Sequence, residues 1–423
     1  IAFGEPLSKK QAVQFPLVTR LLGVESYGAW GIVISWVGLI GQILAFRLWE
    51  TVIKYFSEFT AADDEARALA IIKLCLGIDF CVGLVTFLLI SLSAGWAATL
   101  VVKRPDGADL LRLEAFHLLL TMTMSVWVAI LRVFDRFRAI SVMNVVSAVL
   151  LFVLSLIALA AGAGVAGLIL AATLAGLCQT LALAVLAGRA LRSRFNRHWF
   201  TADLSVLKDR RREIWVMLLS MNIDTLRKIA LNNADMVVLG WFATPAHVGV
   251  YRLAKTLSSY VSRLTNPIYD TLYPEVARLY AAEGPAPVGV LVRRLMRGVM
   301  AGLVVLVAGA YLFSGWLIPI LFGPEYISAI PLFYIVVLSN VWVVCIWAPS
   351  VLLSAGLAKQ LTVINTISSL AMIALLLILV PLWKSTGAAI ALVGFYGIWT
   401  VITYITAREV IASDPGPIRR NAL

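Results

Sequence analysis

The chain has 423 residues, 61% hydrophobic and only 14% charged, and apolar runs of about 20 residues recur along nearly its whole length, each long enough to cross a bilayer as a helix. Runs of this length exclude barrel strands, which need only about 10 residues, so the chain reads as an all-α polytopic membrane protein. The formal net charge of +12 lies in short loops between apolar spans, where it encodes topology and excludes a nucleic-acid-binding face.

The opening stretch IAFGEPLSKKQAVQFPLVTRLL starts at Ile1 and is only half apolar, so the first span is expected to be truncated. Lys9 and Lys10 read as its cytoplasmic flank, or as cavity-lining groups if the span starts earlier. A tight turn is expected over residues 20–28, where Gly23 and Gly28 permit the reversal, before a second span at about residues 29–49. A charged loop is then expected from Arg47 through Glu50, Lys54, Glu58 and Asp63-Asp64-Glu65 to Arg67 and Lys73.

The third span, at about residues 70–92, carries Asp79. An acid in mid-membrane marks a functional site or hydrogen-bonds a neighbouring helix. Spans at about 113–131, 140–161 and 165–187 complete the first half, separated by RVFDRFR and the glycine-rich AGAGVAG. Cys75, Cys81, Cys178 and Cys345 lie within apolar spans without metal-ligand spacing, so they read as packing residues and imply neither a disulfide nor a metal site.

Residues 189–213 form the longest hydrophilic connection and leave no room for a folded catalytic domain. Two charged spans follow over residues 215–273, joined by Thr244-Pro245-Ala246-His247. The first carries Asp224, Arg227, Lys228 and Asp235. In the second, Arg252, Lys255, Ser259, Ser262 or Arg263, and Asn266 recur every three to four residues and share one side of a helix. Ionised groups in mid-bilayer are costly and normally face a bundle interior or water-filled cavity, so a cationic cavity between the two spans is expected, with a plain Asp235–Arg252 salt bridge as the bland alternative. Spans at about 298–320, 328–353, 361–383 and 386–406 bring the count to about twelve.

Basic residues favour alternate loops. Arg47, Lys54, Arg67, Lys73, Arg132, Arg136, Arg138, eight more between Arg189 and Arg212, and several in the later loops and tail fall on one side, against Arg20, Lys103, Arg104, Arg112 and Lys384 on the other. This asymmetry predicts both termini inside. The chain also repeats itself: Tyr27-Gly28-Ala29-Trp30 matches Val248-Gly249-Val250-Tyr251, and Val142-Met143-Asn144 matches Val363-Ile364-Asn365 at the same offset. A duplicated six-helix unit follows, both copies inserted the same way up. The expected division is 1–188 as an N-terminal lobe, 189–213 as a basic cytoplasmic linker and 214–423 as a C-terminal lobe.

Arg20-Leu21-Leu22-Gly23-Val24-Glu25-Ser26-Tyr27-Gly28, with Asp235 through Leu239-Gly240 and then Val248-Gly249-Val250-Tyr251 to Ala254, resembles the oligosaccharide flippase family of the multidrug/oligosaccharidyl-lipid/polysaccharide exporter superfamily. The resemblance covers essentially the whole chain. It implies a V-shaped transporter of two pseudo-symmetric six-helix lobes that moves undecaprenyl-diphosphate-linked oligosaccharide across the bacterial inner membrane by alternating access, with basic side chains accepting the diphosphate. Arg20 then stands where the family has its first-helix arginine, and Asp235 where the seventh helix ends in an acid. Arg227, Lys228, Arg252, Lys255 and Arg263 rest on the helical-stripe argument instead. Asp79, Asp224 and Asp235 are candidate coupling-ion or salt-bridge acids.

A diphosphate-linked glycan needs a wet cationic chamber, while its polyprenyl tail can stay in lipid. A cation-coupled multidrug exporter of the same superfamily is the alternative, although surplus Arg and Lys would repel its cationic substrates. A membrane-embedded glycan polymerase or ligase generally needs a sizeable catalytic outer loop, and the outer loops here are short. No catalytic residue and no cofactor are expected beyond coupling to a proton or sodium gradient. The expected partners are lipid-linked oligosaccharide, membrane lipids and polysaccharide polymerase machinery, with no nucleic acid and a monomeric chain.

Overall fold

The computed structural model describes residues 9–195, 199–219, 233–263 and 266–412, and no strand occurs among them. The helices are α1 Lys9–Leu44, α2 Leu48–Ala61, α3 Glu65–Ala97, α4 Gly107–Thr121, α5 Met124–Val133, α6 Phe137–Ala160 and α7 Gly164–Arg194. After them come α8 Asp235–Phe242, α9 Pro245–Arg263, α10 Asn266–Glu283, α11 Pro285–Phe322, α12 Ala329–Val337, α13 Ala348–Ser354 and α14 Ala358–Ala412.

Seven helical segments among the described residues are long and apolar enough to cross a membrane. Two of these hold a pair of crossings. In α1 the pair meets at Gly23 (φ 72°, ψ 166°), so the turn expected over residues 20–28 contracts to one residue whose backbone only glycine adopts readily. The 55 residues of α14 would extend about 80 Å as one helix, far beyond the roughly 30 Å of a bilayer core. The chain reverses instead at Lys384 (φ 49°). A Cβ added to Gly387 would lie 2.2 Å from the Leu379 carbonyl oxygen, although eight residues of continuous helix would separate those positions by about 12 Å. With the seventh, eighth and tenth crossings, which are charged, short or partly outside the described residues, the fold is that of about twelve transmembrane helices in two pseudo-symmetric six-helix lobes.

The duplication is written in the turns as well. Left-handed backbone occurs at Asp63 and Gly284, and again at Asp135 and Gly356; both pairs are 221 residues apart. The fifth and sixth helices of each half make the same kind of polar contact: Gln179 Nε2 donates to Asn144 Oδ1 at 2.8 Å, and Trp399 Nε1 donates to Asn365 Oδ1 at 2.8 Å. Asn144 and Asn365 are the two asparagines of the repeated sequence.

Packing divides the chain into Ile1–Ala246 and His247–Leu423. In the first unit a large apolar core gathers α2, the start of α3, α5 and the end of α7. Residues 48–61, expected as part of a charged loop, form a helix. Leu48, Val52, Tyr55, Phe56 and Phe59 recur at helical spacing and are buried, while Glu50, Lys54 and Glu58 occupy the opposite face.

The hydrophilic connection is docked against this core. Arg67 donates to Val206 O at 3.1 Å and pairs with Asp209 at 2.8 Å, Lys73 reaches Ala202 O at 2.7 Å, and Arg210 bridges Glu58 and Glu213 at 2.7 Å each. The Arg210 guanidinium and the Tyr55 hydroxyl hold the Glu213 carboxyl below its usual range. In the second unit the core joins α10, the start of α11, α13 and both arms of α14.

Candidate functional site

The charged helix of the second unit is α9. Its positions split into two neighbouring faces. Val248, Tyr251, Lys255 and Ser258 are buried, with Lys255 only 9% exposed. Arg252, Thr256 and Ser259 flank them and are half-buried. The polar stripe read from the sequence thus has a buried edge and a half-buried edge about 90 to 100° apart, since the two sets are offset by one residue.

The buried strip is tied to the tenth crossing. Between α12 and α13 the chain tightens into a 3₁₀ stretch, Leu338–Cys345, which presents Asn340, 1% exposed. Asn340 Nδ2 donates to Ser258 Oγ at 3.0 Å and to Val337 O at 2.9 Å, while its Oδ1 accepts from Ser262 Oγ at 2.5 Å. Ser258 Oγ in turn donates to Val336 O at 3.1 Å. These hydroxyls are spent on holding the two crossings together, as buried polar groups in lipid must be. Lys255 lies one turn from this network on the same face, and Lys255 and Arg252 both have polar or electrostatic partners, so neither is an idle charge.

In the first unit, Asp235 is fully buried on α8, and its carboxylate accepts the Met236 backbone N–H at 2.9 Å. The helix runs along the second crossing through small residues. Ser35 Oγ meets Met236 Sδ at 3.2 Å; a Cβ on Gly38 would lie 3.1 Å from Asn233 Nδ2, and one on Gly240 would lie 3.1 Å from Val101 and 3.2 Å from Ile32. Lys103 Nζ closes the far end of α8 by donating to the carbonyls of Trp241 and Ala243 at 2.8 and 2.9 Å, a cation at a helix C-terminus. Burial holds its pKa below the usual lysine value.

Asp79 is 3% exposed on α3 and faces Ser125 Oγ at 3.5 Å, a long hydrogen bond. Arg20 sits on an exposed surface of α1 three residues before the break at Gly23, and it too has a partner. Asp79 and Asp235 therefore belong to different helix contacts within the first unit, whereas Lys255 and Arg252 belong to the second. Asp224, Arg227 and Lys228 lie outside the described residues, as do the side chains of Arg263, Asn266, Lys9 and Lys10. No group of three or more His, Cys, Asp or Glu capable of holding a metal occurs among the described residues.

Asn340 and Lys103 were not singled out from the sequence. Asn340 had a usable signal: an amide inside the apolar run PLFYIVVLSNVWVV is costly unless paired. Lys103 had none, because its carbonyl partners are 138 and 140 residues away.

The fold is similar to that of an inward-facing multidrug resistance MATE family transporter of the MOP superfamily, with a TM-score of 0.74 and 14% identity over 96% of this chain and 95% of that one. The lipid II flippase MurJ, in an inward closed conformation, is also similar, with a TM-score of 0.69 and 10% identity over 94% and 86% of the two chains. A MOP superfamily transporter from Pyrococcus furiosus, described by the reverse polarity of its binding pocket, gives 0.55 and 15% over 96% and 99%. At these identities the likeness is one of fold. No curated protein matches the chain. Residues 10–280 match the family described as polysaccharide biosynthesis protein, and this stretch, well over half of the chain, takes in the first six crossings, the docked connection and the charged pair. The chain thus belongs to the polysaccharide biosynthesis protein family and is a multi-pass membrane protein whose fold is similar to that of MOP superfamily transporters.

Proposed function

We propose that the protein is a flippase that translocates undecaprenyl-diphosphate-linked oligosaccharide units across the bacterial inner membrane by alternating access, for synthesis of a cell-surface polysaccharide. The observation that carries this reading is a lysine ammonium, Lys255, held 9% exposed on a membrane helix of a chain in a polysaccharide biosynthesis family. A buried cation is costly to keep and marks a substrate or ion path. With Arg252 one turn away, it offers charge-assisted donors suited to a diphosphate.

Arg20, Arg227, Lys228 and Arg263 belong to the same proposal as further anion contacts. Asp79, Asp224 and Asp235 belong to it as acids for proton or sodium coupling. Both termini are cytoplasmic in this scheme, the lobes are 1–188 and 214–423 about the 189–213 linker, and the monomer hands its glycan to polymerase machinery.

A multidrug exporter is the competing reading, favoured by the multidrug transporter among the structural neighbours; a cationic helix face opposes it by repelling cationic drugs. Reconstitution into vesicles decides between them. Wild-type protein should move a fluorescent lipid-linked oligosaccharide and not a cationic dye. Lys255→Met should lower the rate at least about tenfold, the effect of losing one charge-assisted contact, and Lys255→Arg should restore part of it. Dye transport without glycan transport, or full glycan transport by well-folded Lys255→Met, would sink the proposal.

A further inference from the structure

The first unit contains a recess of about 490 Å³ between the end of α7, Trp127 of α5 and the short turn at Trp199 and Phe200. Its floor is aromatic: the rings of Trp127 and Trp199 meet edge to face at 5.6 Å, and Phe200 follows Trp199 at 5.8 Å. Its lining includes Arg189 and Arg192 and no acid.

The recess lies at the end of a continuous apolar track. Leu170, Leu174, Leu181 and Val185 are 48, 51, 57 and 53% exposed and recur every four or seven residues, so they share the outer face of α7. Arg189 and Arg192 continue that face by further steps of four and three. From Leu170 to Arg189 the helix rises about 28 Å, close to the thickness of a bilayer core, which puts the arginines at headgroup level.

Basic residues at the cytoplasmic end of a membrane helix are often mere topology signals, and Arg194 fits that description, pairing with Asp63 at 3.7 Å. Arg189 and Arg192 differ. Both are exposed, and among the described residues neither has a carboxylate partner. They stand one helical turn apart beside a cavity whose other walls are apolar. Gly188 opens the space between them and the rings, since a Cβ there would meet nothing within 4 Å.

We propose that this recess binds an anionic glycerophospholipid, its phosphate held between Arg189 and Arg192 and one acyl chain laid along Leu181, Val185 and Gly188. Two guanidinium forks match a phosphate diester, the indole rings suit the membrane interface, and a basic pocket beside an apolar track is the chemistry by which anionic lipid is recognised. The site is independent of the transport reading above.

The test uses the full chain in detergent micelles, exchanged with equal amounts of phosphatidylglycerol and phosphatidylcholine of matched acyl chains, with retained lipid counted by native mass spectrometry. Wild-type protein should retain phosphatidylglycerol in preference. Arg189→Ala/Arg192→Ala should lose that preference by roughly thirtyfold, and Arg189→Lys/Arg192→Lys should keep much of it. Gly188→Trp fills the recess with both arginines intact and should also expel the lipid, which covers the case of an arginine variant that fails to fold. An unchanged preference in Arg189→Ala/Arg192→Ala or in Gly188→Trp overturns the proposal. So does displacement of the lipid by inorganic phosphate at equal concentration, which would mean that the acyl chain contributes nothing.

Discussion

Asn340 is the residue on which the polar packing of the second unit converges, serving Ser258, Ser262 and the Val337 carbonyl from one buried amide. Asn340→Ala removes all three contacts. Ser258 keeps its bond to Val336 O, and Ser262 falls back on the Ser258 carbonyl at 3.4 Å, so the expected loss is moderate, about 1 to 2 kcal/mol of unfolding free energy. Adding Ser262→Ala should cost less than the two single changes summed, because both changes remove the same Ser262–Asn340 hydrogen bond. Additive costs in denaturant titrations would mean that the two side chains are not coupled. Both asparagines of the internal repeat were visible as polar residues inside apolar spans, but their partners 35 and 34 residues away were not, and the bonds of Asn340 and Lys103, which span 78 and 138 residues, leave no local trace.

At the scale of elements, the hairpins of the fifth and sixth and of the eleventh and twelfth crossings show what sets a membrane turn. Gly167 closes the first against Ala158, and Gly387 closes the second against the Leu379 backbone. Gly387→Ala cannot be absorbed by a side-chain shift, because its Cβ would meet a carbonyl at 2.2 Å. We expect a loss of about 1 to 3 kcal/mol or more, the range for forced overpacking. Gly397→Ala, in the same arm with nothing within 4 Å, should be neutral or mildly stabilising. Equal melting temperatures for the two variants would contradict the close approach. The α2 helix gives the complementary lesson. Its apolar spacing was present in the sequence, yet its density of charge led to a loop, because charge reports which face meets water and periodicity reports the backbone.

For the whole molecule, the twelve crossings and the basic bias of alternate loops set an orientation that can be measured. Single cysteines placed at Ser205 on the docked connection and at Asp109 beyond the third crossing should label from opposite sides of the membrane, Ser205 from the cytoplasm. Labelling of both from one side would refute the topology. Composition and run length determined by themselves that this is an all-helical, multi-pass chain, because the bilayer leaves runs of this length no other backbone, and residues recurring at one offset showed the duplication. Tertiary structure alone decided which charges stay buried, which hydroxyls become helix glue and how the basic connection docks onto Glu58, Arg67 and Lys73. These outcomes depend on partners distant in sequence, and a polar side chain in a membrane helix is defined energetically by the group it meets.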